Sequence, residues 1–165
     1  MLILMGEGGE SKIGTNINCL IEQFGICVNT DTVLRTTYYK YLHPKEAFIT
    51  NGVLNREFIR VAKGLPASKL ESDANKMAKK MMETKEFTKE KLALNILYPF
   101  GSSLNVQKPS YPLISSGPVS YPVSRPIAAF YTNQNNGKLL VMGSVKILED
   151  EYIEKEDNSK IIVYT

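Results

Sequence analysis

The sequence predicts an α/β domain, and three observations carry that expectation. The apolar run Leu2-Ile3-Leu4-Met5 enters a glycine-rich turn, Gly6-Glu7-Gly8-Gly9-Glu10-Ser11, and a helix is expected over 15–24. Strand-turn-helix entries of this kind open α/β domains, where glycine lets the backbone turn tightly or approach a ligand. Short all-apolar runs flanked by glycines also suit a parallel sheet covered on both faces. Finally, Gly143-Ser144 follows Leu139-Leu140-Val141-Met142 as Gly6 follows the first run. That places two glycine turns at the carboxyl edge of one sheet, where open α/β folds bind ligands.

The remaining elements follow in order. The helix over 15–24 puts Ile17, Leu20, Ile21 and Phe24 on one face and stops at Gly25. Ile26-Cys27-Val28 reads as a second strand, and 33–41, rich in Thr and Tyr, as an extended segment. Residues 44–48 read as a short helical turn, and 53–61 as a helix with Leu54, Phe58 and Val61 on one face. Residues 66–91 differ: charged, Met-containing, with only a thin apolar stripe of Leu70, Ala74, Met77 and Met81. Methionine stripes can line adaptable grooves. This composition instead marks a solvated excursion, over about 64–91, between core elements. A strand is expected at 92–98, stopped by Pro99 and turned by Gly101. Pro109, Pro112, Pro118, Pro122 and Pro126 make 105–126 a series of edge strands and turns. A proline-rich recognition ligand fits less well, because the interleaved Tyr, Val and Ile call for burial. Strands at 127–131 and 139–142 are joined by Asn133-Gln134-Asn135-Asn136-Gly137, which has hairpin-loop chemistry. A charged helix is expected from 149 to 164.

Composition narrows the class. At 165 residues, with 43% hydrophobic and 22% charged side chains, the chain is one domain of ordinary soluble type. A net charge of +3 without a Lys/Arg block argues against nucleic acid. No apolar run approaches the roughly 18 residues a membrane helix needs, and 1–5 is too short for a signal-peptide core. Cys19 and Cys27 make no disulfide framework and read as reduced thiols of a cytosolic protein. A strand at residue two, and a charged helix that stops at Thr165, lead us to expect a piece of a longer domain.

Recognisable chemistry is sparse. The glycine turn lacks GxxxxGK[ST], has Ser11 where GxGxxG needs its third glycine, and carries Glu7, which repels anions. Gly6, Gly8, Gly9 and Gly143 therefore read as structural turns. GxSxG and GxCxG elbows are absent, Cys19 sits inside a helix, and the single His43 has no nucleophile in elbow context. One His and two isolated Cys supply no metal cluster, so neither metal nor cofactor is expected. Glu7 with Glu10, or Asp150 with Glu151, read as caps and solvated charge rather than paired catalytic acids.

Two strings carry a family resemblance. One is Met5-Gly6-Glu7-Gly8-Gly9-Glu10-Ser11 with Thr15-Asn16-Ile17-Asn18. The other is Tyr39-Lys40-Tyr41-Leu42-His43-Pro44-Lys45-Glu46-Ala47 with Gly52-Val53-Leu54-Asn55-Arg56-Glu57. Together they resemble the GIFT-domain family of intraflagellar transport protein 52. Shorter matches continue through Tyr98-Pro99-Phe100-Gly101, Arg125-Pro126-Ile127, Ala129-Phe130-Tyr131, Gly137-Lys138-Leu139 and Asn158-Ser159-Lys160, leaving out about 64–91. The resemblance implies a class I glutamine amidotransferase-like scaffold: a Rossmann-like, mostly parallel sheet flanked by helices, here missing its first elements. It implies a non-catalytic adaptor role in cilium assembly, with other intraflagellar transport B subunits, and possibly ciliary cargo, as partners. Nucleic acid and membrane insertion are not implied. Cytoplasm, basal body region and cilium or flagellum are the implied locations.

Within that frame the aromatic-basic stretch Tyr38, Tyr39, Lys40, Tyr41, His43 and Lys45 is the candidate partner interface, since Tyr offers a rigid apolar body with a polar tip. The competing reading buries these tyrosines beside the first helix. A second function class is a small-ligand or sugar-binding module that uses the paired glycine turns. An amidotransferase enzyme would require a reactive Cys19 or Cys27.

Overall fold

The structure, a computed structural model, describes residues 1–37, 40–54 and 94–162. The chain opens with β1 (Leu2–Leu4), α1 (Gly9–Ile13), α2 (Ile17–Ile21), a 3-10 turn (Glu22–Phe24) and β2 (Ile26–Val28). Strands β3 (Leu34–Arg35) and β4 (Glu46–Thr50) precede the undescribed stretch. After it come β5 (Asn95–Pro99), β6 (Leu104–Val106), β7 (Tyr111–Ser115), β8 (Ser120–Tyr121), β9 (Pro126–Thr132) and β10 (Lys138–Met142). A 3-10 turn (Lys146–Leu148), α3 (Asp150–Ile153) and α4 (Ser159–Ile162) close the described region.

Four strands form the central sheet in the order β1-β10-β9-β7. Strand β1 runs parallel to β10, with Leu2 opposite Leu140 and Leu4 opposite Met142. The other pairings are antiparallel: β10 with β9, β9 with β7, β2 with β6, β3 with β8 and β4 with β5. Side chains alternate across the sheet as the two-residue strand period requires. Ile3, Leu139, Val141 and Ala129 face one core with Ile21 of α2, Ile26, Val28 and Leu104. Leu140, Met142 and Ala128 face the other, with Ala47, Ile49, Ile96, Tyr98 and Ile147, and Ile127 near the start of β9 joins the same cluster. Each fully buried Ile or Leu contributes about 1.5–3 kcal/mol, so the two apolar faces hold the central sheet to the elements packed on either side of it.

This architecture overturns the expected amidotransferase-like, mostly parallel sheet flanked by helices. Among the described residues β1–β10 is the one parallel pairing, and the described helices have four or five residues. The physical reason lies in the connections. Parallel neighbours need a crossover of a dozen or more residues, whereas a five-residue link permits only an antiparallel return. Asn133 to Gly137 is such a link: Asn133 N–H donates to Gly137 O at 2.8 Å and closes the β9–β10 hairpin. The proline-rich stretch gives β7, at the sheet edge, with register shifts between Pro112 and Ile114 and between Ile114 and Ser115.

Local expectations fare unevenly. The strands at 2–5, 26–28, 127–131 and 139–142 and the helix over 15–24 match β1, β2, β9, β10 and α2 with its 3-10 turn. Residues 44–48 are a turn leading into β4 rather than a helical turn, because Ala47 and Ile49 alternate into the core. Among the described residues of the extended segment expected at 33–41 only Leu34–Arg35 form a strand, and of the strand expected at 92–98 the described part is β5, from Asn95. The single C-terminal helix is broken between α3 and α4, where Glu156 takes φ 53°. Most of the helix expected over 53–61, and the whole 64–91 excursion, lie outside the described residues.

That break serves β5. Asp157 N–H donates to Asn95 O at 2.9 Å, and Asn95 N–H to the Asp157 carboxylate at 2.9 Å. Buried Asn158 then imitates a neighbouring strand: its Oδ1 accepts Leu97 N–H at 3.0 Å, and its Nδ2 donates to Leu97 O at 2.9 Å. Asn18 does the same for β2, exchanging bonds of 2.9 and 3.1 Å with Val28. Leaving a buried donor or acceptor unpaired costs about 1–3 kcal/mol. Asn158→Leu strips two such groups at Leu97, so we expect a loss of roughly 2–5 kcal/mol in chemical denaturation, against under about 1 kcal/mol for Ser159→Ala.

Candidate functional site

The glycine turns lie together, and a tyrosine fills the space between the loops that follow β5 and β10. Tyr98 is fully buried, and its hydroxyl donates to Ser102 O at 2.7 Å. A Cβ on Gly101 would stand 2.4 Å from the Tyr98 ring, and one on Gly143 2.4 Å from its oxygen and 2.2 Å from Ser102 O. Both glycines are thus required by close approach. Burial pushes the Tyr98 hydroxyl pKa well above its ordinary value, with Asp31 adding to the shift, so the group stays a neutral donor.

The turn after β1 docks on the same loops. Glu7 N–H donates to Phe100 O at 2.9 Å, Gly8 N–H to Asp31 O at 2.9 Å, and Gly9 N–H to Gly6 O at 3.1 Å. Gly8 and Gly9 take φ 75° and 54°, and a Cβ on Gly9 would meet Asn29 O at 2.4 Å. Gly6 is different: among the described residues nothing lies within 4 Å of a Cβ built there. Val145 N–H reaches Met5 O at 2.6 Å, and Ser102 N–H reaches Gly143 O at 3.0 Å. A phosphate-cradling loop must present free amide N–H groups to its ligand. In this turn the Glu7, Gly8 and Gly9 donors are already bonded to the protein.

Around this junction sits the aromatic-basic stretch. Lys45 donates to the Glu7 carboxylate at 2.6 Å, and Lys12 pairs with the same group. Lys40 pairs with Glu156, whose Oε1 also accepts the Tyr41 hydroxyl at 2.6 Å. The His43 ring lies against Phe100, tilted by 44° with 4.7 Å between ring centroids, its Nδ1 accepts Lys45 N–H at 3.1 Å, and Lys146 lies 4.5 Å from the Phe100 ring centre. Lys40, Tyr41, His43 and Lys45 therefore brace the loop internally, while Tyr38 and Tyr39 lie outside the described residues. The acceptors Glu156 and Glu46, the latter bonded to Tyr152 Oη at 2.9 Å, had no local sequence signal because they lie over 100 residues from their partners. Tyr98 carried a partial signal, a tyrosine three residues before a glycine.

Other reactive groups stay apart. Cys19 is exposed on α2, and burial, followed by Glu22, raises the Cys27 thiol pKa, which opposes a reactive thiolate. Among the described residues no three His, Cys, Asp or Glu side chains are grouped to hold a metal ion, and no helix is long and apolar enough to cross a membrane. The apolar crevice between Tyr98, Ile114, Ile127 and Met142 is too tight for a water molecule.

With this geometry in hand, comparison with known proteins is decisive. The family profile described as the IFT52 GIFT domain matches residues 1–164. The chain belongs to the IFT52 GIFT domain family. It is 47% identical over 165 residues to the mouse (Mus musculus) protein called intraflagellar transport protein 52 homolog, covering 98% of this chain and 36% of that protein. It is 45% identical over 164 residues to the human (Homo sapiens) protein of the same name, covering 98% and 35%. A solved structure titled "mmIFT52 N-terminal domain" superposes with a TM-score of 0.76 at 45% identity, over 98% of this chain and 60% of that one. This GIFT domain chain thus spans about a third of the length of those two curated relatives. The mixed, strand-rich architecture is the fold it shares with the solved domain.

Two tests follow from the junction. Gly143→Ala drives a methyl into Ser102 O and should cost about 1–3 kcal/mol or more, read by thermal unfolding, whereas Gly6→Ala should be neutral or gain roughly 0.5 kcal/mol. The ion pairs give a pH signature. Lys12, then Lys45, hold the Glu7 carboxyl below its ordinary 4.5. For Glu156 burial raises the pKa, but Lys40 and Tyr41 outweigh it and the net shift is downward. A carboxyl depressed in the folded state stabilises fully above its unfolded value and loses that contribution as pH falls through the folded one. Glu7→Gln and Glu156→Gln should therefore melt below wild type at pH 7, and the gap should close as pH falls below the ordinary carboxylate value and through the depressed folded-state one.

Proposed function

We propose that this chain is a non-catalytic adaptor domain of the intraflagellar transport B complex. It supports cilium assembly by binding other subunits of the train, with ciliary cargo as a further partner, in the cytoplasm, basal body region and cilium. The observation that carries this reading is the end-to-end similarity, 47% over 98% of the chain, to a protein named for intraflagellar transport. The geometry supports it. The glycine turns, where an open α/β fold would place a ligand, are knitted together by their own amides and by Tyr98. A small-ligand or sugar-binding role would need donors there that are free to turn outward.

The loop at 40–45 belongs to the proposal in a double capacity. Lys40 and Lys45 anchor it to Glu156 and Glu7, and that anchoring presents exposed Leu42 and His43 at a fixed position for a partner. The test is quantitative co-purification of the tagged full chain from cells growing cilia. Enrichment of other B-complex subunits is expected, and recovery of the chain alone would overturn the adaptor role.

A further inference from the structure

The loop between β7 and β9 has its polarity inside out. Ser116 and Ser120 are buried, whereas Val119, Tyr121 and Val123 are 46%, 64% and 56% exposed. Ser116 Oγ is used within the loop, donating to Pro122 O at 2.6 Å and accepting Arg125 N–H at 3.1 Å. Ser120 Oγ is buried with no hydrogen-bond partner among the described residues, a cost of about 1–3 kcal/mol that a loop could avoid by turning the hydroxyl to water.

This loop is firmly held. Ser116 N–H donates to Arg125 O at 2.8 Å and Ser124 N–H to Gly117 O at 2.9 Å, closing its neck. Strand β8, within it, pairs with β3, and Thr36 donates to Val119 O from both its amide and its hydroxyl, at 3.1 and 2.8 Å. Apolar side chains on a fixed backbone have little further ordering entropy to lose on binding, which is what a contact surface needs. The surface continues across β3. Arg35, opposite Ser120, donates to the carbonyls of Tyr41 and Leu42, the latter at 2.7 Å, and Leu42 is 83% exposed.

Charge identifies the complement. From residue 117 to residue 125 the sequence contains no Asp or Glu, and Arg125 is the one charged side chain of the loop. Arg125 is exposed at the neck of the loop, with Nη1 3.4 Å from Asn105 Oδ1. Tyr and Arg are enriched in the cores of protein interfaces, and nothing contributed by this stretch repels a carboxylate.

We infer that the loop over 117–125, with Leu42 beside it, docks an acidic protein segment in which apolar side chains are set among Asp and Glu. Val119, Tyr121 and Val123 receive the apolar side chains, and Arg125 pairs with the carboxylates. The identity of the partner as another B-complex subunit rests on the adaptor reading; the chemistry of the segment rests on the loop.

The experiment presents the purified full chain to an array of short peptides tiling the other B-complex subunits, at low and high salt. Peptides combining Leu, Phe or Trp with Asp or Glu should bind. Binding should fall with salt, and by about tenfold or more in both Tyr121→Ser with Val123→Ser and in Arg125→Glu, with melting temperatures unchanged because all three positions are exposed. No bound peptide, a preference for basic peptides, or wild-type binding by either variant overturns the inference. Concentration-dependent self-association lost in Tyr121→Ser overturns it too, making the loop a contact between copies. Co-purification of wild type and variants separates the two levels. If all recover the B-complex equally, the loop is not the docking surface but the adaptor role stands. If wild type itself is recovered alone, the adaptor role fails.

Discussion

The fold depends on one contact: the Tyr98 ring set against Gly101 and Gly143, with its hydroxyl on Ser102 O. Three loops that follow three different strands, β1, β5 and β10, converge there, and each needs the others in place. A close-packed interior transmits any added volume, because there is no void to absorb it. The glycines at 101 and 143 are therefore a packing requirement imposed by Tyr98 and Ser102, whereas Gly8 answers to a left-handed backbone angle and Gly9 to both its angle and the approach of Asn29 O. Residues that look alike in a glycine-rich string thus do different jobs.

Elsewhere the same economy of backbone satisfaction governs the strand edges. Among the described residues, strands β2 and β5 each pair with one neighbouring strand, which leaves donors and acceptors on the other side to be met in another way. Asn18 and Asn158 meet part of that need with side-chain amides, which carry the same donor–acceptor pair as a peptide unit. The cost is a broken C-terminal helix: Glu156, in a left-handed conformation, turns the chain so that Asp157 and Asn158 can reach β5. In return Glu156 becomes the anchor for Lys40 and Tyr41, which links the edge repair to the position of the exposed loop at 40–45.

How far the sequence disclosed this can be judged residue by residue. Continuous apolar runs such as Leu139 to Met142 announce a buried strand by composition alone, and Gly25 ends its helix by its own φ of 77°. Sheet direction was also encoded, in the short link from Asn133 to Gly137, but the strand-turn-helix opening at Leu2 to Gly9 outweighed it and suggested a parallel sheet. Partnerships over long separation were invisible. No local pattern says that Glu7 will take both Lys12 and Lys45, that Asn158 will stand in for a strand, or that a loop containing Pro118 and Pro122 will bury Ser116 and Ser120 and expose Val119 and Val123. The family, by contrast, was legible from two strings, because they combine rare residue orders over a dozen positions.

At the edge where an open α/β fold would place a ligand, the amides of Glu7, Gly8, Ser102 and Val145 are bonded to the protein's own backbone. Native-state amide hydrogen exchange on the full chain tests that most directly, read at Glu7, Gly8, Ser102 and Gly143. The account predicts that all four amides exchange only through global unfolding, with one common protection. Fast or independent exchange at Glu7 and Gly8 would contradict it, because those donors would then be open to solvent and to a ligand.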